Sequence, residues 1–132
     1  MAFEDCNGTP DRIICKELSF QIISAAFEVH NTLGSGFLEA VYEKALLKEL
    51  LLRGIRAEAQ KAVKILYKGE DVGIYYPDIL VEDRIILELK AVEQLGKLHE
   101  AQILNYLKGT GLKVGILINF SGERVQYKRM VI

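Results

Sequence analysis

Neither sign of charge dominates this sequence, which limits what its overall electrostatics can indicate. The 132 residues include 17 Lys and Arg against 18 Asp and Glu, for a formal net charge of −1. A clustered basic surface is the usual electrostatic footprint of a nucleic-acid-binding protein. The overall charge therefore does not predict such binding, and any phosphate-binding surface must be a local patch.

Cysteines and long apolar runs are also scarce. The two cysteines, Cys6 and Cys15, lack the CxxC spacing of a metal or redox motif. Two isolated thiols suit a reducing compartment, although one disulfide between them stays open. No apolar run approaches the ~20 residues that a membrane-spanning helix needs, and the acidic, polar start is unlike a signal peptide. We expect a cytoplasmic protein with no membrane partner.

Three helical patterns are present in a composition that is 50% hydrophobic and 27% charged, as in an ordinary globular domain. Apolar residues recur at helical spacing over residues 13–31, about 38–53 and 98–107. Gly34 and Gly54 follow the first two patterns and suit helix ends. These patterns predict three helices.

The segments between the helices read as strands. The expected strands cover residues 57–67, 72–76, a hairpin around 79–89, 114–120 and 125–132. The apolar run 114–120 is typical of a strand buried on both faces. The order predicts an α/β fold in which helices flank a mixed sheet of four to five strands. We expect a flexible leader over residues 1–12 and a single domain over residues 13–132.

Three charged residues stand in the otherwise apolar hairpin: Asp78, Glu88 and Lys90. Glu88 and Lys90 share one face because side chains alternate along a strand. A turn centred on residues 82–83 pairs residue 78 with residue 87, which leaves Asp78 within about one residue of Glu88. Placing two carboxylates and an ammonium group so close together costs folding free energy unless a divalent cation binds to the carboxylates. The alternative is a solvated strand face with ordinary alternating charges, although the apolar flanks favour an interior strand.

Two pairs of polar residues accompany this hairpin on helices. Glu39 and Tyr42 are three residues apart, and Gln102 and Tyr106 are four apart, so each pair lies on one helical face. For the two tyrosines, the alternative is a core position with the hydroxyl reaching solvent.

The order of these residues resembles that of the PD-(D/E)XK nuclease superfamily, particularly its exonuclease-like branch. The matching positions are a helix glutamate, Glu39, then Pro77-Asp78, Glu88-x-Lys90 and Gln102-x-x-x-Tyr106. Within it, Gly36-x-x-Glu39-x-x-Tyr42 is similar to the signature of the GxxExxY protein family, with Ser35 where that family often has proline. The resemblance covers roughly residues 18–130 and implies a restriction-endonuclease-like core.

The resemblance also implies roles for these residues. Asp78, Glu88 and the backbone carbonyl of Leu89 would ligate Mg²⁺, with Mn²⁺ as the alternative, because hard cations prefer oxygen ligands. Lys90 would position the attacking water or neutralise charge on the phosphate, and Glu39 would join through a water or a second cation. Gln102, Tyr106 and Tyr42 would orient the site or contact nucleic acid.

The activity implied by this resemblance is Mg²⁺-dependent nuclease activity, the hydrolysis of phosphodiester bonds in nucleic acid, with DNA favoured over RNA. The short binding face of so small a domain leaves a homodimer open. The alternative is a non-catalytic regulatory module that binds nucleic acid or protein and retains the nuclease fold. The net charge of −1 and the lack of a basic arm favour that alternative. Hydrolysis of a small nucleotide is a third alternative.

Overall fold

The computed structural model describes residues 15–132. The expected leader, residues 1–12, lies outside the described residues, and so does Cys6. Cys15 is buried where the first helix begins. It is disulfide-bonded, so the sequence-based expectation of a free thiol is wrong for this residue and the alternative, a disulfide, is correct. Within residues 15–132, no helix is long and apolar enough to cross a membrane.

Two helices open the described chain, as predicted. Helix α1 spans Lys16–Leu33 and helix α2 spans Glu39–Leu52. Helix α1 ends because Gly34 adopts a φ of 74° and donates its N–H to the His30 carbonyl at 2.8 Å. The spacing of its apolar residues buries one stripe of the helix, formed by Leu18, Ile22, Ala25, Ala26 and Val29.

Within residues 15–132, seven strands form two sheets. The strands are β1 (Ala57–Ala59), β2 (Val63–Tyr67), β3 (Glu70–Tyr75), β4 (Ile79–Val81), β5 (Ile85–Lys90), β6 (Val114–Asn119) and β7 (Gln126–Val131). The main sheet has the order β1-β4-β5-β6-β7, and β2 with β3 forms a separate hairpin. Only the β5–β6 pair in the main sheet is parallel, with helix α3 (Lys97–Thr110) in its crossover. The expected mixed five-stranded sheet with flanking helices is confirmed.

The expected single strand over residues 57–67 is wrong. Gln60 adopts a left-handed φ of 54° and interrupts the extended chain. Strand β1 then pairs with β4 in the main sheet, whereas β2 pairs with β3 in the hairpin. Alternating polarity is the same for strands in either sheet, so the pattern gave no sign of the break.

The register of the hairpin that carries the charges differs from the predicted one by one residue. Ile79 pairs with Leu87 and Val81 with Ile85, so three residues form the turn, and Glu82 and Asp83 are left-handed with φ of 52° and 55°. One further step along this antiparallel register brings Asp78 opposite Glu88, where the predicted partner was residue 87. The longer turn therefore places the two carboxylates closer than the predicted two-residue turn does.

The main sheet separates two apolar layers. Ile85, Leu87 and Leu89 of β5 pack with α1 and α2, and each such fully buried side chain stabilises the fold by about 1.5–3 kcal/mol. Ile86, one position out of phase, packs with α3 residues on the other face. By the same alternation Glu88 and Lys90 project toward the α3 layer. The expected burial of the strand at 114–120 on both faces is confirmed.

The hairpin β2–β3 lies against α3, which brings it close to this face of the sheet. A Cβ atom added at Gly109 of α3 would come within 2.9 Å of Ile65 Cγ2, so only glycine allows the observed approach. Tyr75, the last residue of β3, is in the same buried cluster as Ile86 of the main sheet. The hairpin therefore covers the region where β5 carries its charged residues.

Candidate active site

Asp78 and Glu88 meet where β4 begins beside the second half of β5. The Asp78 carboxylate accepts a hydrogen bond from the backbone N–H of Leu89 through Oδ2 at 2.8 Å. Its backbone carbonyl accepts from Gln60 N–H at 3.2 Å. These contacts fix Asp78 against the strand that carries Glu88.

Glu88 is a partly buried carboxyl group on the α3 face. Its pKa is raised to about 7 from an ordinary value near 4.5, chiefly by burial and in smaller part by the charge of Asp78. A hydrogen bond from the Tyr75 phenol and the charge of Lys90 act in the opposite direction. Glu88 is therefore a carboxyl group whose charge is costly in this setting and would be stabilised by an additional cation.

Lys90 is two residues further along β5, on the same face and half-buried. Within residues 15–132, Lys90 forms no ion pair. Its positive charge nevertheless lowers the pKa of Glu88. A half-buried ammonium group beside two carboxylates can stabilise negative charge on a bound anion.

Glu39 approaches the same strand end from the other layer of the fold. It is the first residue of α2, is exposed, and accepts a hydrogen bond from Ala91 N–H at 3.4 Å. It lines an open cleft of about 630 Å³ together with Phe37 and Ser121. Its carboxylate therefore lies beside the residue that follows Lys90. Among residues 15–132 it is not grouped with Asp78 and Glu88 as ligands of one ion.

Gln102 and Tyr106 form the predicted pair on one face of α3. Gln102 Nε2 donates to the Tyr106 hydroxyl at 3.0 Å. The Tyr106 ring stacks on Tyr75, with 3.6 Å between ring centroids and an interplanar angle of 15°. The Tyr75 hydroxyl in turn donates to Glu88 Oε1. The pair is thus connected to the carboxylate cluster through Tyr75, to which the sequence analysis gives no role.

Tyr42 lies in the core, as the alternative for it predicts, but its hydroxyl does not reach solvent as that alternative had it. Its side chain is fully buried and stacks on Phe120 with 4.5 Å between ring centroids. Its hydroxyl donates to the Gly34 carbonyl at 2.6 Å and accepts from Phe37 N–H at 3.3 Å. Tyr42 therefore fixes the loop that leads into Glu39, and this position does not expose it to a nucleic acid.

Asn119 is a second polar residue that the sequence analysis misses. It is almost fully buried at the end of β6, opposite Lys90 in the parallel register. Its Nδ2 donates to the Val92 carbonyl at 2.8 Å and its Oδ1 accepts from Val92 N–H at 3.1 Å. Ser121 Oγ donates to the same carbonyl. These bonds fix the direction in which the chain leaves Lys90.

The oxygen ligands at this strand end suit a hard cation. Asp78 Oδ1 accepts no hydrogen bond from any residue in the 15–132 range. The Glu88 carboxylate accepts from the Tyr75 phenol through Oε1 and from the backbone N–H of Asp78, and further lone pairs remain on its two oxygens. Mg²⁺ commonly binds through one or two carboxylates and keeps several waters. Over the same range, no three acidic, histidine or cysteine residues are grouped as metal ligands. The residues therefore fit a two-carboxylate site, and Glu39 is not brought into it.

Sequence comparison shows the class of protein to which this fold belongs. A sequence profile of the PD-(D/E)XK nuclease superfamily matches residues 16–130. The chain therefore belongs to the PD-(D/E)XK nuclease superfamily. No curated protein sequence matches the chain.

Two solved structures that are similar to the chain are distant from it in sequence. The crystal structure of SSO0001 is 20% identical, with a TM-score of 0.50, over 88% of this chain and 58% of that one. The chain therefore spans little more than half the length of SSO0001. The crystal structure of an alkaline exonuclease, LHK-Exo, from Laribacter hongkongensis is 12% identical, with a TM-score of 0.42, over 93% of this chain and 72% of that one.

Proposed function

We propose that this protein is a metal-dependent nuclease that hydrolyses phosphodiester bonds. The observation that carries the proposal is the buried Glu88 carboxyl opposite Asp78, with Lys90 on the same strand face. An arrangement that raises the pKa of a carboxyl to about 7 destabilises the folded protein when the group is charged. Perturbed groups of this kind concentrate at functional sites. Membership of a nuclease superfamily supports the same conclusion.

The proposed roles follow from the positions of the side chains. Asp78 and Glu88 would hold Mg²⁺, with Mn²⁺ as the alternative ion and the Leu89 carbonyl as a further ligand. The bound ion would supply Lewis-acid stabilisation of phosphate oxygens. Lys90 would stabilise the negative charge that develops on the phosphate, and its half-buried position would strengthen that effect. Glu39, beside Ala91, would act as an accessory acid at the rim of the cleft.

The proposed substrate is nucleic acid, with DNA favoured over RNA. Membership of the GxxExxY family is part of the proposal and is supported by Gly36, Glu39 and Tyr42. A homodimer would extend the short binding face. A cytoplasmic location is also proposed, although the disulfide at Cys15 removes the argument from reduced thiols.

A non-catalytic binding module that retains the fold is the second candidate. Within residues 15–132 Glu39 is not grouped with Asp78 and Glu88 as metal ligands, and this favours the binding module, as does the net charge of −1. Several basic residues are engaged in ion pairs at the surface: Lys61 with Asp83, Lys64 with Asp71 and Lys128 with Glu100. Paired lysines are less available for phosphates.

Calorimetric titration with Mg²⁺ and with Mn²⁺ separates the two candidates. The nuclease proposal predicts binding in the intact protein that is lost in Asp78→Asn and Glu88→Gln, which remove one charge each with little change of shape. Glu70→Gln is the matched control, because Glu70 is an exposed carboxylate at the start of β3. No binding by the intact protein would overturn the proposal and favour the binding module.

A further inference from the structure

Tyr75 connects the β2–β3 hairpin to the main sheet through a hydrogen bond to the carboxylate of Glu88. It is the last residue of β3 and only 7% of it is exposed. Its hydroxyl donates to Oε1 of Glu88, which lies on β5 of the other sheet. The bond uses one of the about four lone-pair sites of the carboxylate, so it holds Glu88 in one orientation and leaves lone pairs available to a ligand.

The Tyr75 ring is held on its other side by α3. Tyr106 stacks on it at 3.6 Å, and the Tyr106 hydroxyl accepts from Gln102 Nε2 at 3.0 Å. Stacked aromatic pairs favour one relative orientation, so the ring of Tyr75 has little freedom to rotate. The hydroxyl is therefore presented to Glu88 in a fixed direction.

We propose that Tyr75 is a positioning residue that orients Glu88 as a metal ligand, and that Gln102 and Tyr106 act through Tyr75 and not by contacting nucleic acid. This proposal rests on the proposed function, since it assumes that Glu88 binds the ion. Partners that hydrogen-bond to a metal-binding carboxylate fix its orientation, and removing one weakens metal affinity. Tyr75 touches neither the ion nor the substrate.

Tyr75→Phe is the most direct test, because it removes only the hydroxyl and retains the stacked ring. Mg²⁺ binding by the variant and by the unmodified protein is compared by calorimetric titration at about pH 8.5, which is above the pKa of about 7 of Glu88 in the unmodified protein. We expect the Mg²⁺ affinity to fall about tenfold. Tyr67→Phe is the matched control, since Tyr67 is 63% exposed on the same hairpin. Its Mg²⁺ affinity should equal that of the unmodified protein.

A second variant tests the stacking contact. Tyr106→Leu removes the ring that holds Tyr75 but leaves the Tyr75 hydroxyl in place. It should also weaken Mg²⁺ binding, and Tyr106→Phe, which keeps the stack, should weaken it less. In cleavage assays, excess Mg²⁺ should restore the rate of Tyr75→Phe toward that of the unmodified protein, whereas Asp78→Asn should stay inactive. Rescue by Mg²⁺ is not expected of a residue with only a structural role.

The outcomes separate the two proposals. Mg²⁺ binding in the unmodified protein with equal affinity in Tyr75→Phe and in Tyr106→Leu would overturn the positioning role alone and leave the nuclease proposal intact. A lower unfolding midpoint in Tyr75→Phe with unchanged Mg²⁺ affinity would likewise overturn it, because Tyr75 would then be structural. No Mg²⁺ binding in the unmodified protein would overturn both.

Discussion

Asp78 accepts a hydrogen bond from the backbone N–H of Leu89 at 2.8 Å, which ties the residue before β4 to the middle of the Glu88-Leu89-Lys90 segment. The bond is accepted by Oδ2 of Asp78, and Oδ1 takes no part in it. Because the contact is to backbone, it does not depend on which side chain occupies position 89. The geometry of the carboxylate pair is therefore set by the hairpin register.

Asp78→Asn keeps an oxygen that can accept from Leu89 N–H but removes the charge. We expect a fall of at least about tenfold in Mg²⁺ affinity, measured by calorimetry, with a far-ultraviolet circular dichroism spectrum like that of the unmodified protein. It should also lower the pKa of Glu88, because the Asp78 charge contributes to raising it. Unchanged Mg²⁺ affinity in this variant would exclude Asp78 as a ligand.

The raised pKa of Glu88 predicts how the free energy of unfolding depends on pH in the absence of metal. Its pKa is raised in the folded state, so the folded protein binds the proton more tightly than the unfolded chain does. The stabilising contribution is present below pH 4.5 and is lost as the pH rises through about 7. The loss is expected to be up to about 3 kcal/mol. Urea unfolding of the unmodified protein and of Glu88→Gln across this range measures it, and a loss of the same size in both would contradict the assignment.

Mg²⁺ should stabilise the protein only where Glu88 is ionised. Metal binding requires a deprotonated carboxylate and competes with the proton. We therefore expect Mg²⁺ to raise the thermal unfolding midpoint at about pH 8 and to have little effect at about pH 5. The Glu70→Gln control should respond as the unmodified protein does. An equal rise at both pH values would indicate binding elsewhere on the surface.

Asn119 should contribute strongly to stability because it is buried and satisfies both backbone groups of Val92. Asn119→Ala leaves the Val92 N–H without its side-chain partner and removes one of the two donors to the Val92 carbonyl, where Ser121 Oγ remains. The change is expected to cost about 1–3 kcal/mol, measured by urea unfolding. Asn105→Ala, at an exposed position of α3, is the matched control and should cost little. Equal unfolding midpoints for the two variants would contradict this role.

Tyr42→Phe distinguishes a core role from contact with nucleic acid. The variant keeps the stack on Phe120 and removes the hydroxyl bonds to Gly34 and Phe37. A loss of about 1 kcal/mol in unfolding free energy is expected, with DNA affinity unchanged. Reduced DNA affinity at unchanged stability would instead support direct contact.

The grouping of Asp78, Glu88 and Lys90 could be predicted from the sequence to the extent that it depends on local pattern. Strand alternation put Glu88 and Lys90 on one face, and a tight turn brought Asp78 near them. The one-residue error in register came from the left-handed pair Glu82 and Asp83, a conformation that these residue types do not specify. The break at Gln60 had no signature for the same reason.

The contacts that the sequence could not predict are those made between distant elements. Tyr75 reaches Glu88 only because the hairpin packs on α3, and Asn119 reaches Val92 only because β6 lies beside β5. Such pairs depend on how layers pack, which periodicity along one segment does not encode. The helices and the buried strand at 114–120, by contrast, follow from apolar spacing alone.

The central claim is that Asp78, Glu88 and Lys90 form a metal-dependent site that cleaves phosphodiester bonds. The most direct measurement follows cleavage of end-labelled single- and double-stranded DNA and RNA with Mg²⁺, comparing the unmodified protein with Lys90→Ala. The account predicts Mg²⁺-dependent cleavage that is abolished in Lys90→Ala while calorimetry shows that the variant still binds Mg²⁺. Failure of the unmodified protein to cleave any of these substrates, or equal cleavage by Lys90→Ala, would contradict it.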